Sequence, residues 1–339
     1  MFRTIVFISA FALLVYSLTM VFKYWDFVEL APDIAALMNE NVKLTDLEAQ
    51  IEQSIAKDNP DEARLYLSLA QTFGYPVMAA QFLPRIEALE TPWQVTRRQA
   101  EQFANGFMEG TGETGAGVAG AVTADFTVIG DARDLYEQYQ NLQTGKEVNE
   151  LITALAAVGV GLTAITVLSS GSAAPLKTGS STLKMATRAN KLSPTLQAVL
   201  IKQATDVLDY KAVLLAARGE KNLDKLRQAA VKAYNPKALD ALSETANQVN
   251  SIRKSTSLVD TLEILRYADS ADDLRRLEKL SVKYGTETKG ILKLLGKTAI
   301  GTVRVLRHAT ELAIAALASV VSLLASLFAL SAYLRPKAA

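Results

Sequence analysis

The 339-residue chain contains no cysteine, a single histidine and two tryptophans. Without cysteine there can be no disulfide, no thiolate metal ligand and no cysteine nucleophile. The lone His308 excludes paired-histidine metal motifs, which need two imidazoles on one helix face. No carboxylate pair, no nucleophile beside a base and no metal cluster is legible. The sequence therefore points to a non-enzymatic protein with no cofactor, no small-molecule substrate and no nucleic-acid partner.

Uncharged apolar runs are present instead. Thr4 to Phe22 is a stretch of about 19 residues without charge, long enough to cross a hydrocarbon core of roughly 30 Å at 1.5 Å per residue. Arg3 precedes it, and Lys23, Tyr24 and Trp25 follow as an interfacial belt, so it reads as an uncleaved anchor rather than a signal peptide. Ala309 to Leu334 is a second run, charged only at Glu311 near its start, with small residues at Ala318, Ser322 and Ser326 that would let another helix approach closely and support self-association. Leu151 to Leu168 is a third, 18 residues long and interrupted by Gly159 and Gly161, for which a crossing is expected with a buried core helix or a re-entrant segment as the alternatives.

Charge separates the two long regions between these runs. Residues 31–150 hold 8 Lys+Arg against 19 Asp+Glu, a net of −11, whereas residues 171–308 hold 24 against 13, a net of +11. Lys177, Lys184, Arg188 and Lys191 follow the central run, and Lys293, Lys297, Arg304 and Arg307 precede the last. Under the positive-inside rule this predicts a third crossing, with residues 31–150 periplasmic and residues 171–308 cytoplasmic at a bacterial inner membrane.

Both soluble regions read as helical, giving an all-α fold with two or three transmembrane helices. The segments are an anchor over 1–30, an acidic helical domain over 31–105 and a glycine-rich region with the central apolar segment over 106–170. A basic helical domain over 171–286, a basic amphipathic helix over 287–308 and a C-terminal span over 309–339 complete the chain. Helices are expected to open with Asp61-Glu62 after Pro60, at Thr91-Pro92, at Ser193-Pro194, at Asn235-Pro236 and at Ser270, with stops at Gly219 and Gly285. One helix is predicted from Ser193 to Arg218. Lys289, Lys293 and Lys297, spaced at i, i+4 and i+8, together with Arg304 and Arg307, are placed on anionic lipid headgroups.

Two motifs match nucleotide-binding patterns only superficially. Gly115-Ala-Gly117-Val-Ala-Gly120 lacks the preceding strand a dinucleotide fold needs, and Gly290 to Thr298 has five residues between its glycines rather than four. The centre is more unusual. Gly106, Gly110, Gly112, Gly115, Gly117 and Gly120 fall within 15 residues and lead to Asp125, Gly130, Asp131, Arg133 and Asp134. Such glycine density permits close helix approach or a re-entrant hairpin with the central run, in which Asp125 would need a partner such as Arg133.

Gly130-Asp131-Ala132-Arg133-Asp134-Leu135, followed by a glycine-containing apolar helix, resembles a motif of uncharacterised proteobacterial inner-membrane proteins. More loosely, residues 106–192 are similar to the pre-toxin module that precedes toxin domains in bacterial polymorphic toxins. The resemblance implies membrane association and carries no catalytic residues. It adds a second expectation, a membrane-perturbing or pore-forming protein, to that of an interaction scaffold.

Overall fold

The computed structural model describes residues 2–98, 128–166, 174–218 and 222–334. Helices dominate, and the chain divides into two compact units: residues 1–32 with 301–339, and residues 33–300.

In the first unit, α1 (Phe2–Tyr24) leads into β1 (Phe27–Leu30), which pairs antiparallel with β2 (Val303–Leu306), and β2 leads into α16 (Ala309–Leu334). The two helices pack along each other as a hairpin. Their seam is built from residues at alternating steps of four and three: Ala10, Leu14, Ser17, Val21 and Tyr24 on α1, and Ala315, Ser319, Ser322, Ser326 and Ala329 on α16. Small side chains let the two backbones approach. Ser17, Ser319 and Ser326 donate their hydroxyls to Leu14, Ala315 and Ser322 carbonyls of their own helices, so none needs a partner across the seam. Ser322 and Ser326 thus lie on the packing face as the sequence suggests, whereas Ala318 is exposed and Ala315 and Ser319 take the place expected of it. Among the described residues, one helix, Ala309–Ser331, is long and apolar enough to cross a membrane.

The second unit is an assembly of helices around one core. Its N-terminal part comprises α2 (Ile34–Asn41), α3 (Leu44–Ala56), α4 (Pro60–Thr72) and α5 (Ala79–Leu89). There follow α6 (Val128–Gln143), α7 (Glu150–Thr166), α8 (Ala174–Arg188), α9 (Pro194–Val207), α10 (Tyr210–Ala216) and α11 (Leu223–Ala233). The last part is α12 (Leu239–Ser255), α13 (Leu258–Leu265), α14 (Ala271–Tyr284) and α15 (Glu287–Leu295). The side chains of Ser193, Asn235 and Ser270 accept amides of the turns they open, as the sequence suggests, and Asn59, just ahead of Pro60, does the same for α4.

Helix α7 lies at the centre, and α6, α8, α9, α10 and α11 all pack on it. That arrangement explains its composition, since a helix covered on every side must be apolar on every side. Leu151, Leu155, Val158, Val160 and Leu162 are all buried, each contributing about 1.5–3 kcal/mol of transfer free energy. The central run is therefore a core helix, and the structure does not support a third crossing or a re-entrant hairpin there. The described residues of 33–150 and of 174–300 share one core, so placing the two regions on opposite sides of a membrane is likewise not supported. Their opposite charges meet instead: Lys184 and Arg188 reach Asp131 and Asp134, and Lys293 bonds Glu62.

Two further expectations change. The helix foreseen from Ser193 to Arg218 breaks at Leu208, which bridges Tyr234, and Asp209 restarts it by accepting the Lys211 and Ala212 amides. The basic amphipathic helix foreseen over 287–308 is helical only to Leu295. Gly296, at φ +62°, ends it, a 3₁₀ turn follows, and residues 303–306 form β2. A left-handed conformation at Gly296 is one that a side chain would resist.

Candidate functional site

Helix α6 presents Asp131, Asp134, Leu135 and Gln138 at helical spacing on its buried face. Two carboxylates in an apolar face need cations, and α8 supplies them. Lys184, 1% exposed, donates from Nζ to Asp131 Oδ1 at 2.7 Å and to Asp134 Oδ2 at 2.8 Å. Arg188, one turn further along α8, donates to the other oxygen of Asp134 at 2.6 Å. Two negative and two positive charges thus form a neutral set closed from solvent except at the Arg188 guanidinium, whose side chain is 33% exposed.

Helix α7 accommodates the set through a missing side chain. A Cβ at Gly159 would fall inside the Asp131 carboxylate, so this glycine opens the slot in which Asp131 sits. Gly161, two residues on, admits Leu208 in the same way, with an added Cβ 2.9 Å from Leu208 Cδ1. The α6–α7 connection is fixed by Gln138 Oε1, which accepts the Asn149 amide at 2.8 Å, while Asn149 Oδ1 accepts the Ile152 amide at 3.0 Å.

Burial pushes the Asp131 carboxyl up to about 6, against the opposing pull of Lys184. Lys184 is also desolvated, but its two carboxylate neighbours hold its affinity for the proton above the ordinary lysine value. A lysine so held is a fixed cation and offers no nucleophile. The cluster can tie α6, α7 and α8 into one body.

A stability effect follows, with its sign fixed by linkage. Because the folded carboxyl binds its proton more tightly than the unfolded one, its stabilising contribution is complete below about pH 3.8 and disappears as pH rises through about 6. At about 1.4 kcal/mol per tenfold change in proton affinity, this amounts to about 3 kcal/mol. Asp131→Asn, which mimics the protonated state, is expected to flatten the pH dependence of unfolding between pH 4 and 7, as read by urea titration of the detergent-solubilised chain. An undiminished slope in the variant would assign the titration to another group.

Of the residues singled out in the sequence, the structure brings together Asp131, Asp134 and Gly159. Gly130 is buried at the start of the same helix, and Arg133 points outward, 3.8 Å from Asp134. Gly110, Gly115, Gly117, Gly120 and Asp125 lie outside the described residues, and with them the pairing of Asp125 with Arg133. Lys289, Lys293 and Lys297, expected on headgroups, are engaged by Asp260, Glu62 and Asp269. Arg307 pairs with Asp26 at 3.3 Å in the hairpin unit, and Arg304 is a β2 residue in register with Glu29. Lys184 and Arg188, read as flanks of a membrane span, are the functional residues whose role the sequence concealed. Their only signal was i, i+4 spacing within the otherwise apolar stretch Leu183 to Thr187. No protein-family model matches the sequence, and no curated protein or solved structure is similar to it.

Proposed function

We propose that this chain is a non-enzymatic protein of the bacterial inner membrane, anchored by the α1–α16 hairpin and holding the helical unit of residues 33–300 on one face as a scaffold for protein partners. The observation that carries this reading is the state of the outward faces of the hairpin. With the two helices packed together, Phe22 is 79%, Leu317 67% and Phe328 75% exposed, and most of the exposed side chains around them are apolar. A soluble hairpin would leave this surface in water; a bilayer satisfies it. Helices of 23 and 26 residues are about 35 and 39 Å long, matching a hydrocarbon core with its margins. The resemblance of the Gly-Asp-x-Arg-Asp-Leu segment to inner-membrane proteins agrees with this.

Reporter fusions test the topology. Fusions at Asn59 and near Lys221 are expected on one side of the membrane and fusions at both chain ends on the other, with the chain resisting alkaline carbonate extraction. Asn59 and Lys221 on opposite sides, or release by carbonate, would end this reading.

The second reading, a membrane-perturbing protein, draws on α7, a helix of 17 residues whose only charge is Glu150 at its first position. To insert, α7 would have to leave the helices that sheathe it and separate from the Asp131 carboxylate seated at Gly159. Dye leakage from vesicles carrying the purified protein would favour this reading, and intact vesicles the scaffold.

A further inference from the structure

The two-stranded ribbon has a face that the hairpin does not cover. Residues directly opposite in an antiparallel pair share a face, as do residues two apart on one strand. The register Val28↔Val305 and Leu30↔Val303 therefore collects four apolar side chains on one side, while the other carries the Glu29↔Arg304 pair beside Phe27↔Leu306. Leu30 and Val303 are each 49% exposed and Val305 is 43% exposed. The ribbon begins where the hairpin carries its polar and aromatic boundary. Lys23 lies over the Tyr24 ring, Tyr24 packs on His308 at 5.6 Å between ring centroids, and Trp25 meets Phe27 edge-on at 5.9 Å. Arg307 bonds Asp26 through both backbone and side chain at the same level.

We infer that the ribbon is a collar lying in the headgroup layer of the bilayer, with Val28, Leu30, Val303 and Val305 turned toward the acyl chains. The inference rests on the hairpin being embedded, and it names what the first residues beyond the hairpin contact. Three arguments favour lipid. The apolar face is continuous with the aromatic boundary, where amphipathic rings settle at headgroup level. A two-stranded ribbon has two open edges, whose backbone groups cannot enter the hydrocarbon but are satisfied among headgroups and water. Four side chains also supply far less than the roughly 800 Å² per partner that a stable protein interface buries, which disfavours a second copy. Fixed by hydrogen bonds at the foot of both helices, such a collar sets how deeply the hairpin sits.

The absence of cysteine makes the test direct. Single substitutions Leu30→Cys, Val303→Cys, Glu29→Cys and Leu317→Cys in the full chain are spin-labelled and reconstituted in phosphatidylcholine–phosphatidylglycerol vesicles. Collision with oxygen is then compared with collision with a water-soluble nickel complex. Positions 30 and 303 are expected to be several-fold less accessible to nickel than position 29, with position 317 protected most. If 30 and 303 are as accessible to nickel as 29 while 317 stays protected, the collar is wrong and the embedded hairpin stands. Nickel access at 317 would remove the hairpin reading and the collar with it. Protection at 30 and 303 that persists in detergent with spin–spin broadening would assign the face to a second copy and overturn the proposal.

Discussion

Lys184→Met is expected to cost the helical unit about 3–5 kcal/mol, the usual penalty for removing one partner of a buried charge set. The substitution shortens the side chain by one heavy atom but keeps most of its volume, so cavity formation contributes little. What it removes is the cation that bonds both Asp131 and Asp134. Arg188 remains on one oxygen of Asp134, leaving Asp131 to take up a proton or to draw water into the core. In a unit of this size the loss corresponds to a fall in melting temperature of roughly 10 °C. Because a buried ion pair is often replaceable by neutral groups of similar shape at little cost, the triple variant Asp131→Asn, Asp134→Asn, Lys184→Met should recover most of the loss. Thermal unfolding of the detergent-solubilised chain followed by circular dichroism measures both. A single variant as stable as the parent would show that the cluster is not the tie between α6 and α8.

Gly179→Ala is expected to lower stability by about 3 kcal/mol, although alanine in an ordinary helix interior would raise it by about 1 kcal/mol. Here α8 crosses α12 backbone to backbone. An added Cβ would overlap the Ala246 carbonyl and stand 2.7 Å from its Cα, where no rotamer change can relieve it. The two helices must move apart, loosening the buried neighbours Leu183, Ala186 and Val249. A second substitution distinguishes this mechanism from side-chain crowding. Ala246→Gly removes a side chain but leaves the carbonyl in place, so it is expected not to rescue Gly179→Ala. Rescue would locate the clash in the side chain instead.

The all-helical class was legible because capping residues and proline at first turns act locally. Asn59-Pro60, Ser193-Pro194 and Ser270 open helices through bonds reaching three residues along the chain. The central run was misread for a physical reason: a helix sheathed by helices and a helix sheathed by lipid face the same demand, apolar side chains on every side. Its glycines were the available distinction. Gly159 and Gly161 make room for an aspartate and a leucine of neighbouring helices, contacts that no short-range pattern encodes. The opposite charges of the two halves misled in the same way. Complementary charge can mark opposite faces of a membrane or partners in one core, and only the fold distinguishes Lys184 beside Asp131 from Lys184 beside a headgroup. Asp131 and Asp134 were visible as an unusual pair, but their cations lie about fifty residues away along the chain.

The hairpin unit is assembled from the two ends of the chain, with the whole of residues 33–300 inserted between β1 and β2. At translation rates of about 5–20 residues per second, roughly 15–55 s separate the emergence of β1 from that of its partner strand. Throughout that interval α1 has neither α16 nor β2 to pack against, while the large unit is synthesised and can fold. Closure of the hairpin therefore waits until the helical unit has been synthesised. A chain terminated early, or stalled within the helical unit, retains an unpaired small-residue seam and an open strand edge, and these would distinguish it from the finished protein to a protease or chaperone.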